Sequence, residues 1–346
     1  MAGGDMKPKH GTSGASRLEP GDRWAVLSML SSAGGTLFDR MASVSADPFV
    51  GSLIKVVPTF VFSGLALAAG GTRHFGRAWP RSPGFAGNSA VLPTVACGIL
   101  SQGLAFPMLL AALRYGGAFL VTPMVHGAVL WAAITSHFLL DDRLDRRMLV
   151  GCVMLAAGLG CMAAGQAMGI PVSHRWVEGM WLGLGVGLIY GVAGTLRRWS
   201  LLHGLRVGDA LFLRSGGGLA SLGVWWLVLG KTEAARGIPF PVIAILLGSG
   251  GFALLYDYFT TSAWGKTTIA KAGSITSLST PLVALVSWGF LGERVNLLMC
   301  VGLVMSVLGA WVVHRGKGEP HGGGGGVSPD RTGPVSHGPA LSERMS

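Results

Sequence analysis

The sequence predicts an all-α membrane protein whose ten transmembrane helices form two inverted five-helix halves. Three observations carry that expectation. Half of the 346 residues are apolar and only 12% are charged, with a mean hydropathy of +0.53, against about 25% charged in soluble domains. Apolar runs of spanning length recur along the chain. Motifs of the first half also return in the second. The composition excludes a soluble enzyme, a secreted disulfide scaffold and a disordered chain. The 56 glycines show no Gly-X-Y period, which excludes collagen.

A spanning helix needs about 20 mostly apolar residues. Runs of that kind cover 24–44, 48–70, 91–113, 118–140, 148–169, 177–196, 208–230, 241–264, 268–291 and 296–314. Residues 1–23 are polar and charged and read as a cytoplasmic tail; no short apolar stretch with a cleavage site precedes the first span, so no cleaved signal peptide is expected. From Gly318 onward, five consecutive glycines, two Gly-Pro pairs and scattered charge predict a disordered cytoplasmic tail over 318–346. The two five-helix units then occupy 24–169 and 177–315.

The net charge of +11 is spread in short clusters between apolar runs. Nucleic-acid binding requires a basic stripe on one face, so no nucleic-acid partner is expected; clusters of this kind are orientation signals under the positive-inside rule. A cytoplasmic N-terminus puts 18 Lys and Arg inside, among them Arg73, Arg77, Arg81, Arg143, Arg146, Arg147, Arg197 and Arg198. It leaves six outside: Arg40, Arg114, Arg175, Lys231, Arg236 and Arg294. Both termini are expected in the cytoplasm of a cell whose inner membrane holds the chain. Cys97, Cys152, Cys161 and Cys300 lie inside apolar runs without metal-ligand or disulfide spacing, and read as small hydrophobes.

The repeat is read from paired motifs. Gly35-Thr36-Leu37 and Lys55 return as Gly194-Thr195-Leu196 and Arg214, each 159 positions on. Leu140-Asp141-Asp142-Arg143 returns as Leu291-Gly292-Glu293-Arg294, and Gly151 and Gly158 as Gly302 and Gly309, each 151 positions on. An odd number of spans per half turns the second half upside down, the arrangement that secondary transporters use for alternating access. Duplication can equally build an inert bundle or a channel.

Residues 263–311, with Pro281, Leu291-Gly292-Glu293-Arg294, Gly302 and Gly309, resemble the EamA-type repeat of the drug/metabolite transporter superfamily. The copy around Asp141–Gly158 departs from the pattern, with Asp-Asp-Arg for Gly-Glu-Arg and Leu130 in the proline's place. Lys55 and Arg214 resemble the basic residue found early in the second helix of each repeat. Thr268-Ile269, Gly273-Ser274, Thr280-Pro281 and Met124-Val125 are similar to short stretches of the superfamily's aromatic amino acid exporters, with different spacing. The resemblance implies ten helices, cytoplasmic termini, a central cavity and export of small metabolites.

Ionisable residues inside a membrane are costly and are functional candidates by default. Asp257, beside Tyr256 in the eighth span, and Lys271, early in the ninth, fall at similar depth; an ion pair between them would offset their burial. Lys271 would otherwise snorkel to the interface. Lys55 and Arg214 either hold a substrate's carboxylate or phosphate or anchor the bundle, Arg214 through Asp209. His126 either carries a proton or is a hydrogen-bonded structural residue. Gln102 lies mid-span. Asp39 and Arg40 read as solvated at the outer end of the first helix, and His137 as interfacial. Trp24, Trp176, Trp199, Trp264 and Trp311 read as interface anchors, whereas Trp131 and Trp288 lie deeper and either stack on substrate or pack the core.

The chain lacks His-Glu-x-x-His, Gly-x-Ser-x-Gly and Walker A motifs, and no cofactor is expected. The reading is a secondary transporter, not an enzyme, exporting amino acids or related metabolites on a proton or solute gradient. Efflux of amphipathic drugs, and a membrane enzyme or scaffold without flux, are the alternatives.

Overall fold

The computed structural model describes residues 20–69, 88–140, 145–169, 174–291 and 296–315. Residues 1–19 of the expected N-terminal tail, the expected tail 318–346, the arginines at 73, 77, 81, 143 and 294, and the acidic motifs at 141–142 and 293 lie outside them, as does the side chain of Trp288. Residues 20–23, expected in the tail, instead form the first turn of α1, with Asp22 buried. Every regular element among the described residues is helical. The order is α1 (Pro20–Ser43), α2 (Pro48–Ala69), α3 (Asn88–Gly98), a π-helical segment (Ile99–Leu104), α4 (Ala105–His126), α5 (Ala128–Leu140), α6 (Arg146–Gly169) and α7 (Trp176–Leu202). Then come α8 (Val207–Val228), the short α9 (Thr232–Arg236), α10 (Phe240–Trp264), α11 (Ile269–Ser277), α12 (Ser279–Leu291) and α13 (Leu297–Arg315). Eight helical stretches are long and apolar enough to cross a membrane, and Leu297–Val313 is a shorter apolar one. Helix α1 carries Asp22, Arg23, Asp39 and Arg40, which lower its hydropathy.

Local chemistry sets where crossings end. Gly117, at φ 75°, turns the chain inside α4, so Ser89–Ala118 and Leu120–Leu140 are separate stretches, each long and apolar enough to cross a membrane. A residue with a side chain rarely adopts that φ; glycine does so freely. Two spans expected to be continuous are broken instead. The fourth breaks at Gly127, between α4 and α5, and the ninth at Leu278, between α11 and α12, positions 151 apart and so equivalent in the repeat. Pro281 falls in the first turn of α12, where its missing N–H is no loss. The first-half break has no proline at Leu130; there Pro123 sits four residues before Gly127, whose N–H it accepts through its carbonyl.

The halves interlock. Helix α10 of the second half packs on α1 and α2 of the first, and α3 of the first packs on α7 and α8 of the second. Helices α4 and α5 lie along α7, while α1 runs beside α11 and α12. The closest seam joins α6 to α13. There a Cβ on Gly158 would stand 2.7 Å from the Gly302 carbonyl oxygen, and one on Gly151 2.8 Å from that of Gly309. Small residues let helix backbones meet in this way without a hydrophobic drive between helices.

Two further contacts make the repeat visible in space. The carbonyl of Lys55 on α2 faces Gly250 of α10, and the carbonyl of Arg214 on α8 faces Gly98 of α3. A Cβ at either glycine would collide with that oxygen. Each basic residue is therefore seated against the third crossing of the opposite half.

Candidate functional site

A cavity of about 160 Å3 opens between the halves, with walls from both. Helical periodicity brings its residues together. On α10, Ser249, Phe252, Tyr256, Asp257, Thr260 and Trp264 share one face, as spacings of three, four and seven residues require. Tyr190, Gly194 and Arg197 do the same on α7, and Gly35 and Asp39 on α1.

Two ion clusters stand in this wall. In the first, Lys55 Nζ donates to Asp39 Oδ2 at 2.5 Å, and Ser249 Oγ donates to Asp39 Oδ1 at 2.5 Å. Lys55 Nζ also lies 4.4 Å from the centre of the Phe106 ring. In the second, Asp257 is shared by two guanidinium groups. Arg197 Nη1 donates to Asp257 Oδ1 at 3.1 Å, and Arg214 Nη1 pairs with Oδ2. Arg214 Nε donates to Ser101 Oγ at 3.0 Å, and Arg197 stacks over Trp264 at 4.4 Å. All five charged residues are at most 5% exposed. Unpaired, such charges would be prohibitive; each cluster offsets that cost by supplying opposite charge and hydrogen bonds.

At the cavity's other side, His126 Nε2 and Ser279 Oγ are hydrogen-bonded at 3.0 Å. The two residues flank the helix breaks at Gly127 and Leu278, so the bond ties one broken helix to its repeat counterpart. Ser28 and Thr276 are hydrogen-bonded at 2.8 Å and join α1 to α11.

Of the residues singled out from sequence, Asp257, Lys55, Arg214, His126 and Tyr256 line the cavity; Lys271, Gln102 and Trp131 do not. The expected Asp257–Lys271 pair is replaced by Asp257 with Arg197 and Arg214, and Lys271 is half-buried on α11. Arg214 reaches Asp257 and Ser101 rather than Asp209, one helical turn and a half away on its own helix. Gln102 is buried in the π-helical segment, close to Gly218 of α8. Trp131 is 39% exposed, its Cβ directed at α7 near Gly191.

Other expectations also change. Asp39, expected in solvent, is 3% exposed because Lys55 of α2 and Ser249 of α10 close over its carboxylate. Arg40 is half-buried and donates to the Leu113 carbonyl oxygen at 3.2 Å. Arg197 and Arg198, expected in a cytoplasmic loop, are buried because α7 continues six residues beyond the apolar run, to Leu202. Trp264, expected as an interface anchor, is 9% exposed and forms cavity wall. Arg197 and Asp39 were thus missed. A signal existed: Tyr190, Gly194 and Arg197 recur at helical spacing, which extends that face past the end of the apolar run. Among the described residues, no group of three His, Cys, Asp or Glu is placed to hold a metal ion.

A helical membrane protein with interlocked repeats and a charged cavity between them is the architecture of a transporter. The sequence profile of the EamA-like transporter family matches residues 19–164 and 177–315. The chain belongs to the EamA-like transporter family, the EamA-type branch of the drug/metabolite transporter superfamily, and so is a membrane transporter of small molecules. A solved structure described as "Crystal structure of protein" is similar in fold, with a TM-score of 0.62 at 16% identity, covering 84% of this chain and 95% of that one. No curated protein matches the chain.

Proposed function

We propose that this chain exports amino acids or closely related small metabolites, aromatic ones among them, across the bacterial inner membrane. It does so by alternating access, driven by a proton or solute gradient. The observation that carries the reading is the cavity itself, walled by both halves and holding both signs of charge. Paired acids and bases at a repeat interface suit a zwitterion, whose two charged groups can each exchange for a protein partner. Asp257, shared between α7 and α8 cations, is the residue through which substrate or proton occupancy reaches both helices. The eight long apolar stretches, together with α1 and α13, make ten crossings with both termini in the cytoplasm.

Counterflow in proteoliposomes tests this reading. Vesicles loaded with unlabelled phenylalanine should accumulate labelled phenylalanine transiently, and an amino acid panel should give the same overshoot for the true substrates. Absence of counterflow for every amino acid, with folded protein in the membrane, would overturn it.

A further inference from the structure

The cavity's charges do not balance. Among the described residues lining it, Lys55, Arg197 and Arg214 face only Asp39 and Asp257. Lys55 and Asp39 neutralise one another at 2.5 Å, so the surplus positive charge resides on the pair of arginines that share Asp257. A buried cation without its own counter-charge is an unstable arrangement, and an anion entering the cavity would complete it.

The surplus has a location. Arg214 spends its Nε on Ser101 and its Nη1 on Asp257. Arg197 spends Nη1 on Asp257, but its Nε has no acceptor among the described residues. Trp264, stacked under that guanidinium at 4.4 Å, likewise has an Nε1 without an acceptor. Arg197 is 4% exposed and Trp264 9%. Two buried donors on stacked side chains of the cavity wall, one of them cationic, thus lack an acceptor among the described residues, and buried donors left unsatisfied are rare.

We infer that Arg197 and Trp264 form the seat for a substrate carboxylate, deepening the transport reading above. One carboxylate supplies two acceptor oxygens and a single negative charge, which matches two donors and one surplus cation. A phosphate dianion would overshoot the charge. An amine would add to it. Phe106, Tyr190, Phe252 and Tyr256 in the same wall offer aromatic surface to the rest of the solute. Neither seat residue resembles the family's basic position in the second helix of each repeat, which here is Lys55 and Arg214.

Binding to the purified full-length chain, measured by calorimetry, separates this inference from the transport reading, because binding needs no flux. The probes are phenylacetate, phenylalanine, phenethylamine and inorganic phosphate. Phenylacetate and phenylalanine should bind, and phenethylamine and phosphate should not. Arg197→Gln keeps the neutral Asp257–Arg214 pair, and should weaken phenylacetate at least about tenfold. Trp264→Phe keeps the ring and removes the N–H; it should weaken phenylacetate several-fold, and stands in should Arg197→Gln fail to fold. Phenethylamine or phosphate binding as tightly as phenylacetate, no binding of either carboxylate, or unchanged phenylacetate affinity in a folded variant would each overturn the seat. Counterflow that persists beside such a result would leave the transport reading standing.

Discussion

Neutralising Asp257 tests the second ion cluster most directly. Asp257→Asn keeps the side chain's shape but leaves Arg197 and Arg214, each at most 4% exposed, without a counter-charge. Removing one partner of a buried ion pair costs about 3–5 kcal/mol. At about 2–4 °C per kcal/mol for a large domain, the thermal midpoint of the detergent-purified protein should fall by roughly 6–20 °C. Arg197→Gln alone leaves a one-to-one pair, so its cost should be smaller, about 1.5–3 kcal/mol for one charge-assisted hydrogen bond. Asp257→Asn with Arg214→Gln orphans one cation instead of two and should regain part of the loss. Lys271→Met added to Asp257→Asn should regain nothing, since Lys271 is not Asp257's partner. The assay is the midpoint measured by fluorescence-detected size exclusion after heating, alongside membrane abundance. A wild-type midpoint in Asp257→Asn, or its recovery on adding Lys271→Met, would refute the assigned pairing.

Three more expectations follow from described contacts. Lys55→Met leaves the Asp39 carboxylate with Ser249 alone and should cost about 3–5 kcal/mol; adding Asp39→Asn should recover most of it, and a double mutant no better than the single would refute the pair. Gly98→Ala and Gly250→Ala each push a methyl into a carbonyl oxygen that cannot swing aside, so each should destabilise by about 1–3 kcal/mol, read as a lower midpoint. By the Lys and Arg bias, a C-terminal fluorescent reporter should be active and a C-terminal phosphatase reporter inactive; the reverse result would overturn the cytoplasmic C-terminus.

The sequence made the repeat legible because it is written in short-range signals. Gly151 and Gly302, Gly158 and Gly309, and Lys55 and Arg214 each stand where one helix meets another, and duplication keeps their offsets. Five of the eight candidate site residues line the cavity for the same reason: an ionisable or polar residue in an apolar run must face protein. What could not be read was partnership. Asp257 and Arg197 are 60 positions apart, Asp39 and Ser249 are 210, and no local pattern links them. The two acids also break the duplication: Asp39 comes from the first helix of its half, Asp257 from the third. Charges near the ends of apolar runs misled most, since Arg197 and Asp39 look like orientation signals until their helices are seen to continue past them.

The exchange of α3 and α10 between the halves bears on how the chain is made. Helices α1 and α2 leave the ribosome long before α10, their eventual neighbour. The 171 residues from Ala69 to Phe240 take roughly 9–34 s at about 5–20 residues per second. During that interval Asp39 and Lys55, only 16 positions apart, can already cover one another, so the first two helices need not wait with naked charge. The arginines meet their shared counter-charge only later. Arg197 and Arg214 are translated before Asp257, so between the emergence of α8 and that of α10 both wait for the carboxylate they share in the folded chain.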